Sequence, residues 1–232
     1  MIIDKPLMGM YLERPNRFTM VVDVGGEKRL AHLKDPGRLR ELLIPGNQVI
    51  VRKASGKERK TEFDVIALRR GDEWVLVNSG FHSAIAASII ESDRVDEFRG
   101  FTVKKREYPF GRSRIDFLLS SGAEEMLVEV KGCTLVKGEV ALFPDAPTLR
   151  GRRHVGELAS ALSMGYKSSV LFLVFGENAR SFSPNIEMDP EFSYALKEAN
   201  EKGMNVIAYS FRTVLDDSVR VEPLRRIPVI WP

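Results

Sequence analysis

The stretch Met126-Leu127-Val128-Glu129-Val130-Lys131 has the alternating pattern of a β-strand, with two charges set into an otherwise apolar run. Successive side chains of a strand point to opposite faces, so the apolar residues share one face and Glu129 and Lys131 share the other. The pattern therefore places a carboxylate and an ammonium side by side on one face of this strand.

The strand before it, at residues 114–119, carries a second carboxylate, Asp116. The connection at 120–125 is short enough for a hairpin, which would bring Asp116 beside Glu129. Because two carboxylates in contact repel each other, such a pair usually persists where a hard cation neutralises it. The pattern predicts a Mg²⁺ or Mn²⁺ site held by Asp116 and Glu129, with the backbone carbonyl of Val130 as a candidate third oxygen.

Hydrolysis of a phosphodiester needs the groups that this site would combine. A cation polarises the phosphate and acidifies water, and Lys131 would orient the water and stabilise the charge that grows on the phosphoryl oxygens. The alternative is a plain ion pair between Lys131 and either carboxylate at the end of a sheet, since charged pairs across strands are common.

The surrounding sequence predicts an α/β domain. Segments with apolar residues at helical spacing are 84–90, 151–164 and 190–200. Segments with the pattern of strands are 101–107, 114–119, 126–131, 170–175 and 206–209. The core order is αβββαβ, and the remaining elements extend a mixed sheet with helices on both faces.

The N-terminal third predicts a small barrel. Its short segments rich in branched or aromatic residues are 7–13, 18–24, 28–33, 48–53, 63–69 and 74–77. Gly25-Gly26 is a hairpin signal, and 36–43 has room for one or two helical turns. We expect an OB-like β-barrel at residues 1–79 and the mixed α/β domain at residues 80–232, so that the whole chain is α+β.

Positive charge is concentrated in the barrel, where residues 1–78 hold 15 Lys and Arg against 11 Asp and Glu. OB-like barrels commonly bind oligonucleotides, and clustered cations bind phosphates. The predicted nucleic-acid contacts are Arg17, Arg38 in the turn Asp35-Pro36-Gly37-Arg38, and Lys53 in a basic loop that also holds Lys57. The alternatives are a purely structural turn and a solvated hairpin tip.

A second anion site is predicted where the helix at 151–164 begins. Free backbone amides, the positive end of the helix dipole and the basic side chains there could converge on a phosphate. These side chains are Arg150, Arg152, Arg153 and His154, of which Arg150 and His154 are the predicted nucleic-acid contacts. The alternatives are a solvated basic face for the arginine and an ordinary polar contact for the lone histidine.

These residues carry a resemblance to known families. Asp116, followed by Glu129-Val130-Lys131 on the next strand, resembles the PD-(D/E)xK nuclease superfamily. Nearly the whole chain resembles the sugar fermentation stimulation protein A family, through 112–118, 128–131, 143–151, His154, Glu157-Leu158 and the Asn16-Arg17-Phe18 and Asp35–Arg38 motifs. The resemblance implies an OB-like domain joined to a restriction-endonuclease-like domain, DNA binding, and a link to the regulation of sugar use.

One departure concerns the metal ligands. Many nucleases of that superfamily add an acid from the first core helix, but residues 84–90 contain none. Glu91, just after this segment, and Glu107, on the first strand, are the candidates to complete the metal shell. Either could instead cap or solvate the end of an element.

Two functions stay open at this point. We expect a DNA-binding protein with a Mg²⁺-dependent nuclease site; the alternative is a catalytically silent DNA-binding regulator of sugar-metabolism genes. A sugar-binding protein has only the family name in its favour. No apolar run approaches the length of a membrane helix, and Cys133 is the only cysteine, so we expect a cytoplasmic protein without disulfides.

Overall fold

The computed structural model describes residues 1–55 and 59–232, so Lys57 of the basic loop lies outside the described residues. The chain divides into two compact units. The first contains Met1–Phe81, Phe175–Glu177 and Phe211–Leu224. The second contains His82–Val174, Asn178–Ser210 and Arg225–Pro232.

The N-terminal segment of the first unit is built of short strands. They are β1 (Ile2–Ile3), β2 (Pro6–Asn16), β3 (Thr19–Val24), β4 (Glu27–His32), β5 (Gln48–Lys53), β6 (Phe63–Arg70) and β7 (Glu73–Leu76). Gly25 and Gly26 join β3 to β4 with φ angles of 67° and 85°, a region that glycine enters without steric cost. Residues 36–43 form a turn rather than a helix, in which the N–H groups of Leu42 and Leu43 both donate to the carbonyl of Leu39.

Strands β2 to β6 form a closed barrel in the order β4-β3-β2-β5-β6. Neighbours along this path are antiparallel, and a parallel pairing of β4 with β6, at Ala31↔Phe63 and His32↔Asp64, closes the ring. Met20, Val22 and Val51 are fully buried, because alternate residues of each strand face the interior. The predicted OB-like barrel is confirmed.

The second unit mixes helices and strands. It begins with α1 (His82–Ile90), β8 (Thr102–Phe110), β9 (Ser113–Ser121) and β10 (Glu124–Cys133). It continues with β11 (Val136–Lys137), β12 (Val140–Phe143), α2 (Leu149–Leu162) and β13 (Lys167–Phe175). The last elements are β14 (Ser181–Pro184), α3 (Pro190–Glu201), β15 (Asn205–Leu215) and β16 (Val219–Ile227), of which β13, β15 and β16 also give residues to the first unit.

The main sheet of the second unit has the order β8-β9-β10-β13-β15. Pairs β8–β9 and β9–β10 are antiparallel, whereas β10 and β13 run parallel from Met126↔Lys167 to Cys133↔Val174. A parallel pair needs a crossover connection, which α2 provides. Strand β13 is buried along nearly its whole length, as its apolar sequence predicts. The αβββαβ order is confirmed.

A small second sheet was not predicted. Strands β11, β12 and β14 form it, with β12 antiparallel to β11 and parallel to β14. It packs into the apolar core of the second unit through Ala141 and Phe182, both fully buried. No helix among the described residues is long and apolar enough to cross a membrane.

Candidate active site

Strands β9 and β10 separate at the point where the two predicted carboxylates lie. Their ladder ends at Val128↔Phe117, so the next facing positions are Glu129 and Asp116. There the Oδ2 atom of Asp116 accepts the backbone N–H of Val130 at 2.7 Å. The carboxylate of Asp116 thus replaces the missing strand partner and stands beside Glu129.

Glu129 is almost completely buried, with 3% of its surface exposed. Its Oε1 atom is hydrogen-bonded to Nζ of Lys131 and to the ring Nδ1 of His154. Its Oε2 atom is buried and has no hydrogen-bond partner among the described residues. Because an unsatisfied buried carboxylate oxygen is costly, this atom marks a place suited to a cation or a water molecule.

Burial and mutual repulsion set the charge of the carboxylate pair. Burial raises the pKa of Asp116 to about 7; the negative charge of Glu129 adds to the rise, and the Val130 N–H opposes it. Burial would also raise the pKa of Glu129, but the hydrogen bond with His154 and the charge of Lys131 outweigh burial and lower that pKa. Without a cation, Glu129 is ionised and Asp116 exchanges a proton near neutral pH.

The donor set consists of oxygen atoms, which could hold a hard divalent cation. The described residues contain no cluster of three or more His, Cys, Asp and Glu arranged to hold a metal. Asp116 and Glu129 offer two carboxylates. In a β-strand the N–H and C=O of a given residue point to the same side. Because the N–H of Val130 donates to Asp116, the Val130 carbonyl also lies on the Asp116 side. Mg²⁺ typically uses one or two carboxylates and keeps several waters.

The ion-pair alternative is present in part. Lys131 pairs with Glu129, as that alternative requires, but only through the Oε1 atom. Asp116 has no ion pair among the described residues, and the second oxygen of Glu129 stays unsatisfied. A plain salt bridge therefore accounts for Lys131 and for Oε1 of Glu129, but not for the buried Oε2 atom beside Asp116.

Helix α2 brings His154 and Arg150 to the site. His154 is 1% exposed and its ring packs against Glu129, so it faces the carboxylates and not the solvent. Arg150 is exposed, and its Nε atom donates to Nε2 of His154 at 3.4 Å. The N–H of Gly151 donates to the Thr148 hydroxyl at 3.0 Å, so this amide is not available to a ligand. Of the basic side chains predicted to hold a phosphate at this helix start, Arg150 and Arg153 are exposed, and Arg150 is the one in contact with His154.

In the barrel, Arg17 and Arg38 lie at one turn. The guanidinium of Arg14 donates to the carbonyls of Arg17, Gly37 and Arg38 at 2.8, 2.9 and 3.1 Å. Nε of Arg17 donates to the Pro36 carbonyl at 2.9 Å. These bonds give the turn a structural role, while the Arg38 side chain is exposed.

A row of polar residues crosses four neighbouring barrel strands. The register aligns Arg52 of β5 with Asp64 of β6, Asp64 with His32 of β4, and His32 with Thr19 of β3. Lys53, which is exposed, follows Arg52 at the end of β5. The closed barrel thus collects basic residues that are far apart in the chain.

Asp64 is the centre of this row and is 3% exposed. Arg59 contacts its carboxylate at 2.6 Å, and Lys34 and His32 lie 3.9 Å from it. Burial would raise the pKa of Asp64, but the hydrogen bond from Arg59 and the charge of Lys34 lower it, so the carboxylate is ionised. We call Asp64 with its three basic neighbours the Asp64 cluster; its bases outnumber its single acid.

Comparison with known families matches both parts of the chain. Residues 12–77 match the family described as SfsA N-terminal OB domain, and residues 80–217 match the sugar fermentation stimulation protein RE domain. The chain belongs to the sugar fermentation stimulation protein family. The family resemblance seen in the sequence motifs is therefore confirmed.

Relatives in this family match most or all of the chain. A sugar fermentation stimulation protein homolog from Methanothermobacter thermautotrophicus is 73% identical over 232 residues, covering 100% of this chain and 97% of the relative. A homolog from Methanococcoides burtonii is 43% identical over 206 residues, covering 86% and 83%. The solved structure of Pyrococcus furiosus SfsA in complex with Ca²⁺ is 27% identical, with a TM-score of 0.92 over 99% of this chain and 98% of that one.

In this member of the family, Glu107 lies closer to the carboxylate pair than Glu91 does. The register of β8 with β9 places position 107 opposite Asp116, and the charge of Glu107 contributes to the raised pKa of Asp116. Glu107 has a φ of 50°, which is uncommon for a residue other than glycine. Glu91 is exposed beyond the end of α1, and no described contact connects it with the pair.

His82 is a neighbour of the site that the sequence pattern did not reveal. It begins α1, and its ring lies so close to Gly132 of β10 that a Cβ atom at position 132 would collide with it. Burial, and then the charge of Lys131, lower the pKa of His82 to about 4, so the ring is neutral at neutral pH. The helical pattern becomes recognisable only from residue 84 onward, so the histidine before it carried no signal.

Proposed function

We propose that this chain is a Mg²⁺-dependent nuclease that hydrolyses phosphodiester bonds of DNA. The observation that carries the proposal is the buried, unsatisfied Oε2 atom of Glu129 beside Asp116. Two carboxylates so placed are stable together when a divalent cation neutralises them. The related Pyrococcus furiosus SfsA was solved with Ca²⁺, another hard cation that prefers oxygen ligands, which supports a divalent-cation site in this fold.

Each residue of the site has a distinct part in the reaction. Asp116, Glu129 and the Val130 carbonyl would hold the ion, which when bound supplies Lewis-acid polarisation of the phosphodiester and makes water more acidic. Lys131 is held at Glu129 Oε1, where its remaining hydrogens can orient the attacking water. Its positive charge would stabilise the phosphoryl oxygens as negative charge grows on them.

Binding of the DNA backbone would rest on positive groups outside the carboxylate pair. In the barrel these are Arg38, Lys53 and the Asp64 cluster; in the second unit Arg150 reaches the surface next to the site. Contacts of this kind position a nucleic acid without reading its sequence. The proposal therefore expects affinity that depends strongly on salt and little on sequence.

Cleavage of labelled single-stranded, duplex and branched DNA, and of RNA, tests the proposal with Mg²⁺, Mn²⁺ or a chelator present. Wild-type protein should cut DNA only with metal, and Asp116→Asn should not cut. Lys131→Ala should still bind metal but cut about 100-fold to 1000-fold more slowly. Glu124→Gln, an exposed acid at the far end of β10, is the matched control and should cut normally. Absence of cutting on every substrate by protein that binds metal would overturn the proposal.

The second candidate is a DNA-binding regulator that does not cut. The ion pair of Lys131 with Glu129 favours it, because the ammonium already balances one of the two negative charges without a metal. This candidate predicts salt-dependent DNA binding that is unchanged by a chelator and by Asp116→Asn. The same set of substrates, assayed for binding instead of cleavage, separates the two functions.

A further inference from the structure

His154 makes two contacts that together define the state of its ring. Nδ1 contacts Oε1 of Glu129, and Nε2 contacts Nε of Arg150 at 3.4 Å. A guanidinium has hydrogen-bond donors and no acceptor, so Nε2 of His154 must be the acceptor and carry no proton. A neutral imidazole has one N–H, which then lies on Nδ1 and donates to Glu129.

This arrangement fixes the orientation of the Glu129 carboxylate. Oε1 receives hydrogen bonds from two directions, from Lys131 on the same strand and from His154 on α2. A carboxylate held through one oxygen cannot rotate without breaking both bonds, so Oε2 stays as the free atom. Ligands of metals in proteins are commonly held in this way by a neighbouring hydrogen-bond partner.

We propose that His154 is a positioning residue that donates its Nδ1 hydrogen to Glu129 and so holds this carboxylate with Oε2 directed to the metal. The inference rests on the proposed metal site but goes beyond it, because it gives His154 a role in metal affinity. It also replaces the predicted role of His154 as a direct contact to nucleic acid, which a ring that is 1% exposed cannot make.

An ordinary packing role for His154 would have different consequences. A buried histidine that only fills space can be exchanged for an apolar residue of similar volume with little effect on metal binding. A positioning residue is instead sensitive to the one hydrogen that it donates. Asparagine at position 154 retains a donor where Nδ1 stands, whereas leucine has similar bulk and no donor.

The tautomer can be measured directly in the metal-free full-length chain. The sequence has three histidines, so ¹⁵N spectra of the ring nitrogens can be assigned with His32→Asn and His154→Asn variants. Wild-type His154 should carry its proton on Nδ1. Arg150→Met removes the guanidinium donor, and Nδ1 should still carry the proton in this variant, because ionised Glu129 has only acceptors. A proton on Nε2 in wild type would overturn the inference.

Calorimetric titration with Mg²⁺ and Mn²⁺ tests the effect on the site. Loss of such an outer hydrogen bond typically weakens a metal about 10-fold to 100-fold, so we expect that loss in His154→Leu. His154→Asn should bind metal nearly as tightly as wild type. Equal affinity of wild type and His154→Leu would show that His154 only packs. Absence of metal binding in wild type would instead defeat the proposed function, and the metal-directing role of His154 with it.

Discussion

Asp116 serves two purposes at the level of a single residue. One oxygen accepts the Val130 N–H at the point where the strands separate, and the carboxylate stands beside Glu129. An asparagine keeps an oxygen that can accept the same N–H but removes the negative charge. The backbone contact and the repulsion between the acids can therefore be separated by one substitution.

We predict that Asp116→Asn makes the metal-free protein as stable as wild type or more stable, because the repulsion is relieved. In wild type, Mg²⁺ at about 100 times its dissociation constant should add about 2.7 kcal/mol to the free energy of unfolding. The variant should lose this gain. Thermal unfolding with Mg²⁺ and with chelator measures both effects. If the pair were only a salt bridge, Mg²⁺ would leave the melting temperature of wild type unchanged.

The pKa of Asp116 also predicts a dependence of metal binding on pH. Its folded-state value of about 7 lies above the ordinary 3.8, so the folded state holds the proton more tightly. Through this group the free energy of unfolding of metal-free protein falls as pH rises between these two values. Mg²⁺ must displace the proton below pH 7, so it should bind more weakly at pH 6 than at pH 8.

Calorimetry in two buffers of different ionisation enthalpy measures this coupling. At pH 6 wild type should release about one proton for each ion bound, by the same linkage. Asp116→Asn is the control that removes both the titrating group and a metal ligand, so Mg²⁺ should give neither binding heat nor proton release with it. Equal affinity at both pH values, with no proton released, would contradict a raised pKa at Asp116.

At the residue scale the sequence predicted the strand site better than its surroundings. Alternation along β10 was enough to place Glu129 and Lys131 on one face, and a short hairpin was enough to bring in Asp116. The contact of His154 with Glu129 depends on how α2 is rotated over the sheet, which is decided by packing across the whole core. No local pattern near residue 154 contains that information.

At the level of elements, the barrel register predicts where nucleic acid binds. Lys53 is exposed and pairs with Phe63, the residue before Asp64, and Arg38 is exposed in the turn that follows Lys34. Arg38→Ala with Lys53→Ala should weaken DNA binding and reduce the slope of log affinity against log salt by about 1 for each phosphate that is no longer bound. Lys28→Ala, an exposed position near the start of β4, is the control and should change neither.

Binding isotherms at several salt concentrations test this prediction. An unchanged slope in the double variant would remove the barrel from the interface. Arg17 stays unchanged in the variant because its bond to the Pro36 carbonyl helps to hold the turn, so its replacement would mix structural and binding effects.

The elements that the sequence did not predict depend on pairing between distant segments. Strand β14 has four residues and is recognisable only through its partner β12, about forty residues earlier. Strand β16 contains Pro223, which weakens its strand pattern. The long segments with a strong apolar pattern were predicted correctly from the sequence. Helix α2, for example, spans Leu149–Leu162, and the predicted range was 151–164. The apolar periodicity of a segment indicates which of its faces is buried, but it does not indicate which other segment packs against that face.

At the scale of the whole molecule, the first unit is discontinuous. Besides Met1–Phe81 it contains Phe211–Leu224, in which Thr213 pairs with Trp74 of β7 and Val219 pairs with Ile3 of β1. A fragment of residues 1–79, the domain predicted from the sequence, would lack these partners. We predict that it unfolds without cooperativity or at a melting temperature well below that of the full chain.

Thermal unfolding followed by circular dichroism measures this difference. The matched control is the same fragment joined through a flexible linker to residues 211–224, which restores the missing strands. Recovery of a cooperative transition would assign the loss to those strands. A fragment that melts like the full chain would show that the barrel strands suffice without them.

The discontinuity of the first unit has a consequence for synthesis on the ribosome. Translation delivers the N-terminal segment first, and domains generally begin to fold as they emerge. Here Ile2 and Ile3 find their partners, Arg220 and Val219, only when almost the whole chain has been translated. The first unit to appear is thus completed only after most of the second unit has been made, and the edge of β7 in the nascent barrel stays unpaired until β15 has been translated.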